Sequence, residues 1–231
     1  MLNLSKIKAI TLDLDDTLWP VRPTIVRAEQ ALQDWLHQHA PDTARLCAQP
    51  ELKQAIRAEV QQRHADMAHD LSFLRREAIR ASLLRAGDAP HLAEPAFEVF
   101  FAERQNVTLY DGVAEALAKL AARYPLVSVS NGNADVFQTS AAPYFTAAVS
   151  ARMLGVAKPD VRIFHAAAAQ LQLPAEAVLH VGDDASTDAL GALNAGMQTV
   201  WVNTQAHAWP HASPQPLTVG HLAELCDHVL T

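Results

Sequence analysis

Residues 7–18, with the sequence IKAITLDLDDTL, decide the fold of this chain. Apolar residues alternate with polar ones along this stretch, which is typical of a buried strand that ends at its acidic positions. Asp13 and Asp15 lie two residues apart, so their side chains leave the strand in the same direction. Two carboxylates brought together away from water require a cation, a shared proton or contact with solvent. The stretch therefore indicates either a Mg²⁺ site, because Mg²⁺ prefers oxygen ligands, or a turn that uses acidic residues as caps.

Size and composition limit the classes of protein that this chain can be. Its 231 residues, half of them hydrophobic, suffice for one α/β domain with an insertion or for two small domains. A net charge of −7 argues against a general nucleic-acid binder. No apolar stretch reaches the roughly 18 residues of a membrane span, and no signal peptide is recognisable. Cys47 and Cys226 belong to no CxxC pair, which favours reduced thiols in a cytoplasmic protein.

The order of the predicted elements separates a helical stretch from an alternating βα region. Between about residues 24 and 105, apolar residues recur only with the period of an amphipathic helix. From residue 113 onward, helical patterns alternate with short apolar runs, and the last of these runs is expected to close the sheet. The predicted strands are Leu126–Ser130, Ala147–Ser150, Val178–Val181 and Gln198–Val202. Such alternation predicts an α/β fold with parallel strands and right-handed crossovers.

The first strand must join the later sheet, so the chain is expected to form two domains. Residues 1–18 and 109–231 are predicted to be the catalytic core, and residues 19–108 an insertion that folds by itself. Ligands of parallel α/β sheets bind at the carboxyl ends of the strands. Asp13 and Asp15 lie at such an end. The insertion leaves from the same edge, so we expect it to act as a lid over the carboxylates.

Two further junctions carry polar residues. Ser130 and Asn131 follow a predicted strand and, with the backbone N–H groups around Gly132, can form an oxyanion cradle or an ordinary helix cap. Lys158 precedes Pro159 at the predicted start of a helix, where a cation is disfavoured unless an anion is also bound. A solvated surface lysine is the alternative interpretation of Lys158.

A cluster of acids follows the predicted strand that ends at residue 181. Asp184 can be explained as a helix cap, whereas Asp183 and Asp188 cannot both cap the same helix. If a metal lies at Asp13 and Asp15, then Asp183 becomes a third oxygen ligand and Asp188 an acceptor for a bound water. The predicted metal site thus comprises Asp13, Asp15, Asp183 and Asp188.

Together these junctions indicate one chemistry, the hydrolysis of a phosphate ester. Asp13 would attack phosphorus as a nucleophile and form an aspartyl-phosphate. Asp15 would protonate the leaving alkoxide and then deprotonate the hydrolytic water. Mg²⁺ would screen the repulsion between carboxylate and phosphate. The phosphate oxygens would be held by Ser130, Asn131 and Lys158.

With these motifs the chain resembles the haloacid dehalogenase superfamily, in its branch with a helical cap inserted after the first motif. Four motifs in the family's order carry the resemblance over nearly the whole chain: Asp13-Leu14-Asp15-Asp16-Thr17, Ser130-Asn131, Lys158-Pro159, and Gly182-Asp183 with Asp188. The resemblance implies a Rossmann-like parallel sheet core, an all-helical cap domain and Mg²⁺ as cofactor. It also implies a phosphatase, because the dehalogenases lack the acid corresponding to Asp15 and expel halide without Mg²⁺.

Within the superfamily, the chain is similar to bacterial phosphatases that act on 5-amino-6-(5-phospho-D-ribitylamino)uracil in riboflavin synthesis and also cleave flavin mononucleotide. Residues 16–19, Arg22-Pro23, His69-Asp70 and residues 130–134 carry this likeness. It implies a small phosphorylated metabolite as partner, and we expect no nucleic acid, no membrane, and a monomer or homodimer. Trp19 and Arg22 are candidates for substrate contact, the alternative being packing at the cap hinge. A phosphomutase of the same superfamily and a non-catalytic phosphate sensor stay open as alternatives.

Overall fold

The computed structural model describes residues 2–230. The chain divides into two compact units, Met1–Pro20 with Thr108–Thr231, and Val21–Val107. The sequence predicts these limits after residue 18 and before residue 109. We call the first the α/β unit and the second the helical unit. No helix within residues 2–230 is long and apolar enough to cross a membrane.

The α/β unit is built on a six-stranded sheet in which every neighbouring pair of strands is parallel, in the order β3-β2-β1-β4-β5-β6. The strands are Ala9–Leu12 (β1), Leu126–Ser130 (β2), Ala147–Ser150 (β3), Val178–Gly182 (β4), Gln198–Val202 (β5) and Leu217–Val219 (β6). This sheet confirms the predicted α/β fold class. The prediction that β5 closes the sheet was wrong, because the short strand β6 pairs with it.

The strand order places a ligand crevice beside β1. From β1 the chain builds β2 and β3 on one side of the sheet, and then β4, β5 and β6 on the other side. The order of the strands therefore reverses between β1 and β4, and ligands of open α/β sheets bind at such a switch point, beyond the carboxyl ends of the strands. Asp13 follows β1 and Asp183 follows β4, so the two acids stand at the same crevice. All residues of both strands are buried, which explains their continuous apolar runs.

The helical unit, all of whose residues lie within the described range, contains five α-helices and no strand: Val21–His39 (α1), Pro41–Cys47 (α2), Pro50–Arg63 (α3), Leu71–Ala86 (α4) and Ala93–Arg104 (α5). Its main apolar cluster joins residues of α1, α4 and α5, among them Leu32, Leu83, Phe97 and Phe100. The spacing of Leu32 and Leu36 on one face of α1 follows the helical period that predicts this packing. Leu71 shares the predicted apolar stripe of α4 but is exposed, because it is the first residue of the helix.

The helices of the α/β unit follow the strands in the expected alternation. They are Val113–Ala121 (α6), Ala151–Leu154 (α7), Val161–Gln170 (α8), Gly191–Asn194 (α9) and Leu222–Val229 (α10), and a π-helical turn, Ala185–Leu190, precedes α9. Short 3₁₀ segments occur at Ala65–Met67, Pro90–Leu92, Val136–Gln138, Ala142–Tyr144 and Ala175–Ala177. Helix α8 begins at Val161, as its helical pattern predicts, and Asp160 caps it by accepting from Arg162 N at 2.9 Å. Lys158 and Pro159 therefore lie in the loop before α8.

A partly buried ion cluster surrounds Glu29 of α1. The carboxylate accepts from Lys53 Nζ at 2.6 Å and Arg57 Nη2 at 2.5 Å, both on α3, and from Arg75 Nη1 on α4. Burial alone would raise the pKa of Glu29, but the charges of Arg75, Arg57 and Lys53 outweigh it and lower this pKa to about 2. The Glu29 side chain is 18% exposed, so water screens these charges poorly. The cluster thus ties α1 to α3 and α4.

Replacing Glu29 by glutamine should destabilise the protein by about 2–4 kcal/mol at neutral pH, because three cations lose their common counter-charge. Since folding lowers the pKa of Glu29, its stabilisation is complete above the unfolded value of 4.5 and is lost as the pH falls toward about 2. Thermal unfolding of both proteins from about pH 8 to about pH 2.5 should show the difference shrinking. Glu51→Gln, at an exposed acid of α3, is the control. A difference that is constant over this range would contradict the ion-cluster interpretation.

Candidate active site

Lys158 lies between two carboxylates from different parts of the α/β unit. Its Nζ donates to Asp13 Oδ1 and, at 2.5 Å, to Asp188 Oδ1. All three side chains are buried, with Lys158 only 4% exposed. Burial would lower the pKa of Lys158, but the charges of Asp13 and Asp188 raise it above its ordinary value, so the ammonium stays charged. The alternative that Lys158 is a solvated surface residue is therefore wrong.

Asp188, which was expected to accept from a bound water, has several hydrogen-bond partners within the protein. Oδ2 accepts from Asp184 N at 3.1 Å, and Oδ1 lies 3.3 Å from His180 Nε2. Gly182 makes room for it, since a Cβ at this position would stand 2.4 Å from Asp188 Cγ. The pKa of Asp188 is lowered, because Lys158 and then His180 outweigh the effect of burial. Asp188, in the π-helical turn after β4, is thus an ionised partner of Lys158.

His180 extends this network into the centre of the sheet. Its Nδ1 lies 2.9 Å from Thr11 Oγ1, and the two residues are register partners in β4 and β1. Burial lowers the pKa of His180, so the ring is neutral at pH 7. Since the Asp188 carboxylate can only accept, Nε2 carries the hydrogen and Thr11 donates to Nδ1. A single chain of hydrogen bonds therefore runs from Thr11 through His180 and Asp188 to Lys158.

The site holds more negative charge than its lysine can balance. Burial first, and the neighbouring carboxylates after it, raise the pKa of Asp13 well above its ordinary value despite the contact with Lys158. Burial and the charge of Asp188 raise the pKa of Asp183 to about 7. Three acids share one ammonium group, so a further cation would lower the energy of the ionised carboxylates.

The geometry of the acids fits a divalent cation. One oxygen each from Asp13, Asp183 and Asp188 can be chosen so that all three lie within 4.8 Å of one another. Hard carboxylate oxygens are the ligands that Mg²⁺ binds. Asp15, which the sequence places in the metal site, is not part of this cluster of the described residues. Thr17 supports the cluster by donating to Asp183 Oδ1 at 3.0 Å.

Asp15 accepts a hydrogen bond from Trp19, the residue that ends the turn after β1. Trp19 Nε1 donates to Asp15 Oδ1 at 2.8 Å, and the Trp19 side chain is fully buried. A buried indole offers no face on which a substrate ring could stack, so this geometry favours a role for Trp19 at Asp15. Arg22, the other predicted substrate contact, is an exposed residue of α1 and stays a prediction.

Two of the groups that the sequence assigns to an oxyanion cradle after β2 form hydrogen bonds within the protein. Ser130 Oγ accepts from Gly132 N at 2.9 Å, so that N–H is turned toward the serine. This bond uses an acceptor site of the hydroxyl and not its donor. Asn131 forms a reciprocal pair with the backbone of Lys158: Oδ1 accepts from Lys158 N at 2.8 Å, and Nδ2 donates to Lys158 O at 3.0 Å. Asn131 therefore fixes the loop that carries the lysine.

The predicted site residues after β1, β2 and β4 and in the Lys158 loop converge at one end of the sheet. His180 was expected to be a hydrogen-bonded core residue, as it is, but the hydrogen-bond partners of Thr11, His180 and Trp19 were not predicted. No spacing in the sequence reports them, because each depends on strand register or on the path of a turn. Asp184, predicted as a cap, does accept from Ser186 N and Thr187 N at the start of the π-helical turn.

Comparisons with known proteins identify the family to which this chain is similar. The family model described as haloacid dehalogenase-like hydrolase matches residues 7–196. The 5-amino-6-(5-phospho-D-ribitylamino)uracil phosphatase YigB of Escherichia coli (strain K12) is 32% identical over 230 residues, which cover 96% of this chain and 96% of that protein. The phosphoserine phosphatase of Thermus thermophilus is 33% identical over 158 residues, which cover 65% of this chain and 63% of that protein.

A solved structure is also similar over nearly the full length. The crystal structure of a 2-haloacid dehalogenase from Pseudomonas syringae pv. Tomato DC3000 has a TM-score of 0.90 and 38% identity, and covers 97% of this chain and 98% of that chain. The relatives therefore include proteins named for two chemistries, ester hydrolysis and carbon–halogen cleavage. The geometry around Asp15 bears directly on the choice between them.

Proposed function

This chain belongs to the haloacid dehalogenase-like hydrolases, and we propose that it is a Mg²⁺-dependent phosphatase of small-molecule phosphate monoesters. One observation carries the proposal: the site contains two carboxylates in different surroundings. Asp13 is buried against Lys158 within the acidic cluster, whereas Asp15 does not belong to that cluster and accepts from Trp19 Nε1. Two carboxylates in different environments can take different roles, one as nucleophile and the other as acid and base.

The chemistry needs both roles. Asp13 forms a bond to phosphorus while the bond from phosphorus to the ester oxygen breaks, which leaves an aspartyl-phosphate. Asp15 gives its proton to the departing alkoxide, whose own basicity makes it a poor leaving group. Asp15 then takes a proton from water as the water attacks the aspartyl-phosphate, and phosphate is released. A halide leaves without a proton, so carbon–halogen cleavage needs no acid for its leaving group, which is the first of the two roles of Asp15.

Other residues of the site would hold charge and position. The Lys158 ammonium, fixed by Asp188 and by the Asn131 clamp on its backbone, would bind a phosphate oxygen as charge develops. Ser130 would donate its hydroxyl hydrogen to another oxygen. A bound Mg²⁺, held by Asp13, Asp183 and Asp188, would screen the repulsion between the nucleophile and the phosphate.

The likeness to YigB supports a more specific substrate, the phosphate ester of a ribityl-pyrimidine. We test this by measuring phosphate release from a panel of metabolites with and without Mg²⁺, including 5-amino-6-(5-phospho-D-ribitylamino)uracil, flavin mononucleotide, phosphoserine and pyrimidine nucleotides. The proposal expects release that requires Mg²⁺ and no bisphosphate activator, which also separates a phosphatase from a phosphomutase. Binding of phosphate without any turnover would support the sensor alternative instead.

Dehalogenation is the second candidate, because the solved 2-haloacid dehalogenase is 38% identical and similar over its full length. Halide release from both enantiomers of 2-chloropropionate, measured beside phosphate release, decides between the two. The phosphatase proposal expects no halide release. Halide release that persists in an Asp15→Ala variant, together with no phosphate release from the panel, would overturn it.

Asp183→Ala should weaken the response to Mg²⁺ far more than Asp184→Ala. Asp183 belongs to the acidic cluster, whereas Asp184 is exposed and accepts from two backbone N–H groups as a cap. We expect the Mg²⁺ concentration for half-maximal activity to rise at least about tenfold for Asp183→Ala, in the range known for weakened metal sites. The rise in melting temperature on adding Mg²⁺ should disappear in the same variant. Equal shifts in both variants would contradict the assignment.

A further inference from the structure

The turn that carries Asp15 is closed by Trp19 through both backbone and side chain. Asp16 N donates to Trp19 O at 2.8 Å, and Leu18 N donates to Leu14 O at 2.8 Å. Asp15 and Trp19 also pair as an isolated bridge. Asp16 adopts a left-handed conformation, with φ of 59°, which an aspartate tolerates better than most residues. The backbone thus holds residues 15 and 19 at a fixed separation.

The side chains of Asp15 and Trp19 are also joined by a hydrogen bond. Trp19 is fully buried, and the one polar atom of its side chain, Nε1, donates to Asp15 Oδ1 at 2.8 Å. A buried indole N–H requires an acceptor. Here the acceptor belongs to the residue that the proposed mechanism uses as acid and base.

The chemistry of the indole decides what this contact can do. Indole is a donor only, so Asp15 Oδ1 must present a lone pair to it in every protonation state. Because a carbonyl oxygen accepts more strongly than a hydroxyl oxygen, this bond favours the proton that Asp15 transfers on the other oxygen, Oδ2. The same bond restricts rotation of the carboxyl group, which has a broad torsional preference when it is not held.

We propose that Trp19 is a positioning residue for catalysis: its N–H orients the Asp15 carboxyl group so that Oδ2 is the oxygen that exchanges the proton with the leaving group and the water. This inference rests on the proposed phosphatase function and deepens it. Trp19 does not touch the reacting atoms in this role. The competing interpretations are a purely structural role for the buried ring and stacking of Trp19 on a substrate ring.

The test compares two leaving groups in a Trp19→Phe variant, which keeps a buried aromatic ring and loses the N–H. p-Nitrophenolate leaves with little help from an acid, whereas the alkoxide of glycerol 2-phosphate depends on protonation. We expect the single-turnover rate of leaving-group release to fall about tenfold or more for glycerol 2-phosphate and less than about threefold for p-nitrophenyl phosphate, with KM for both nearly unchanged. Trp209→Phe, which loses an indole bond to Ser213 O in the same unit, is the matched control and should change neither substrate.

Three outcomes of this test would count against the proposal. Equal losses of this single-turnover rate for the two esters indicate a structural role for the Trp19 ring. A rise in KM for aromatic esters alone indicates stacking on the substrate. Unchanged kinetics mean that the N–H has no effect on Asp15. Each of these overturns the positioning role and leaves the phosphatase function intact, whereas a wild-type protein that hydrolyses neither these esters nor any phosphate ester of the metabolite panel overturns the function itself.

A second measurement does not depend on turnover. In a ¹H–¹⁵N spectrum, the indole signal that is missing from Trp19→Phe belongs to Trp19. Asp15→Ala removes the acceptor, so this signal should move and its hydrogen should exchange at least about tenfold faster with solvent. Asp184→Ala should leave the signal unchanged. A Trp19 signal that is insensitive to Asp15→Ala would show that the bond is absent in solution and would overturn the proposal whatever the activity.

Discussion

An Asp13→Asn protein should fold normally and lose turnover by at least about four orders of magnitude, as expected when a covalent nucleophile is removed. The amide has nearly the volume of the carboxyl group but carries no negative charge with which to attack phosphorus. Its stability should not fall. The pKa of Asp13 is raised in the folded protein, so above that pKa the ionised carboxylate costs stability that the amide does not.

The measurement is phosphate release together with the melting temperature, both in the absence and in the presence of Mg²⁺. Asp184→Asn is the matched control, because asparagine caps a helix about as well as aspartate and should retain most of the activity. A folded Asp13→Asn protein with more than a few per cent of wild-type turnover would disprove the nucleophile assignment. An inactive variant that has also lost several degrees of melting temperature would indicate that Asp13 is needed for the fold.

The sheet could be predicted because its strands are buried on both faces and therefore appear as short apolar runs. The four predicted strands β2, β3, β4 and β5 start and end within one residue of their positions in the structure. Strand β6 has three residues and only one of them is fully buried, so it leaves almost no apolar signal after residues 206–216, which include three prolines. The start of α8 at Val161 was predictable from the helical pattern, but the cap that Asp160 provides was not predicted.

The positions of the site residues were predictable where these residues follow the ends of strands. Acids at the ends of β1 and β4 must meet, since parallel neighbours bring their carboxyl ends to one edge. The partner of each side chain was not predictable. From the sequence, Asn131 could equally well bind a phosphate oxygen or form hydrogen bonds within a loop. Only the structure shows that it bonds to the backbone of Lys158. The same holds for Trp19, whose ring could have faced solvent or Asp15.

Replacing Lys158 by methionine, which has a similar length and no charge, should reduce kcat by about 10²–10³-fold, the usual loss for one electrostatic contact to developing charge. The physical reason is the charge balance of the site. Without the ammonium, Asp13 faces a dianionic phosphate beside two other carboxylates, and Asp188 loses its main counter-charge. Lys119→Met, at an exposed lysine of α6, is the control. A loss below about fivefold would show that Lys158 takes no part in catalysis.

The stability of the same variant should fall by about 3–5 kcal/mol, because Asp13 and Asp188 are left buried without a cation. A double variant, Lys158→Met with Asp188→Asn, separates this effect from catalysis. Removing the Asp188 charge relieves the repulsion, so the double variant should melt at a higher temperature than Lys158→Met alone. Its turnover should stay low, since no ammonium is restored to bind the phosphate. If turnover recovered along with stability, Lys158 would act by neutralising Asp188 and not by contacting the substrate.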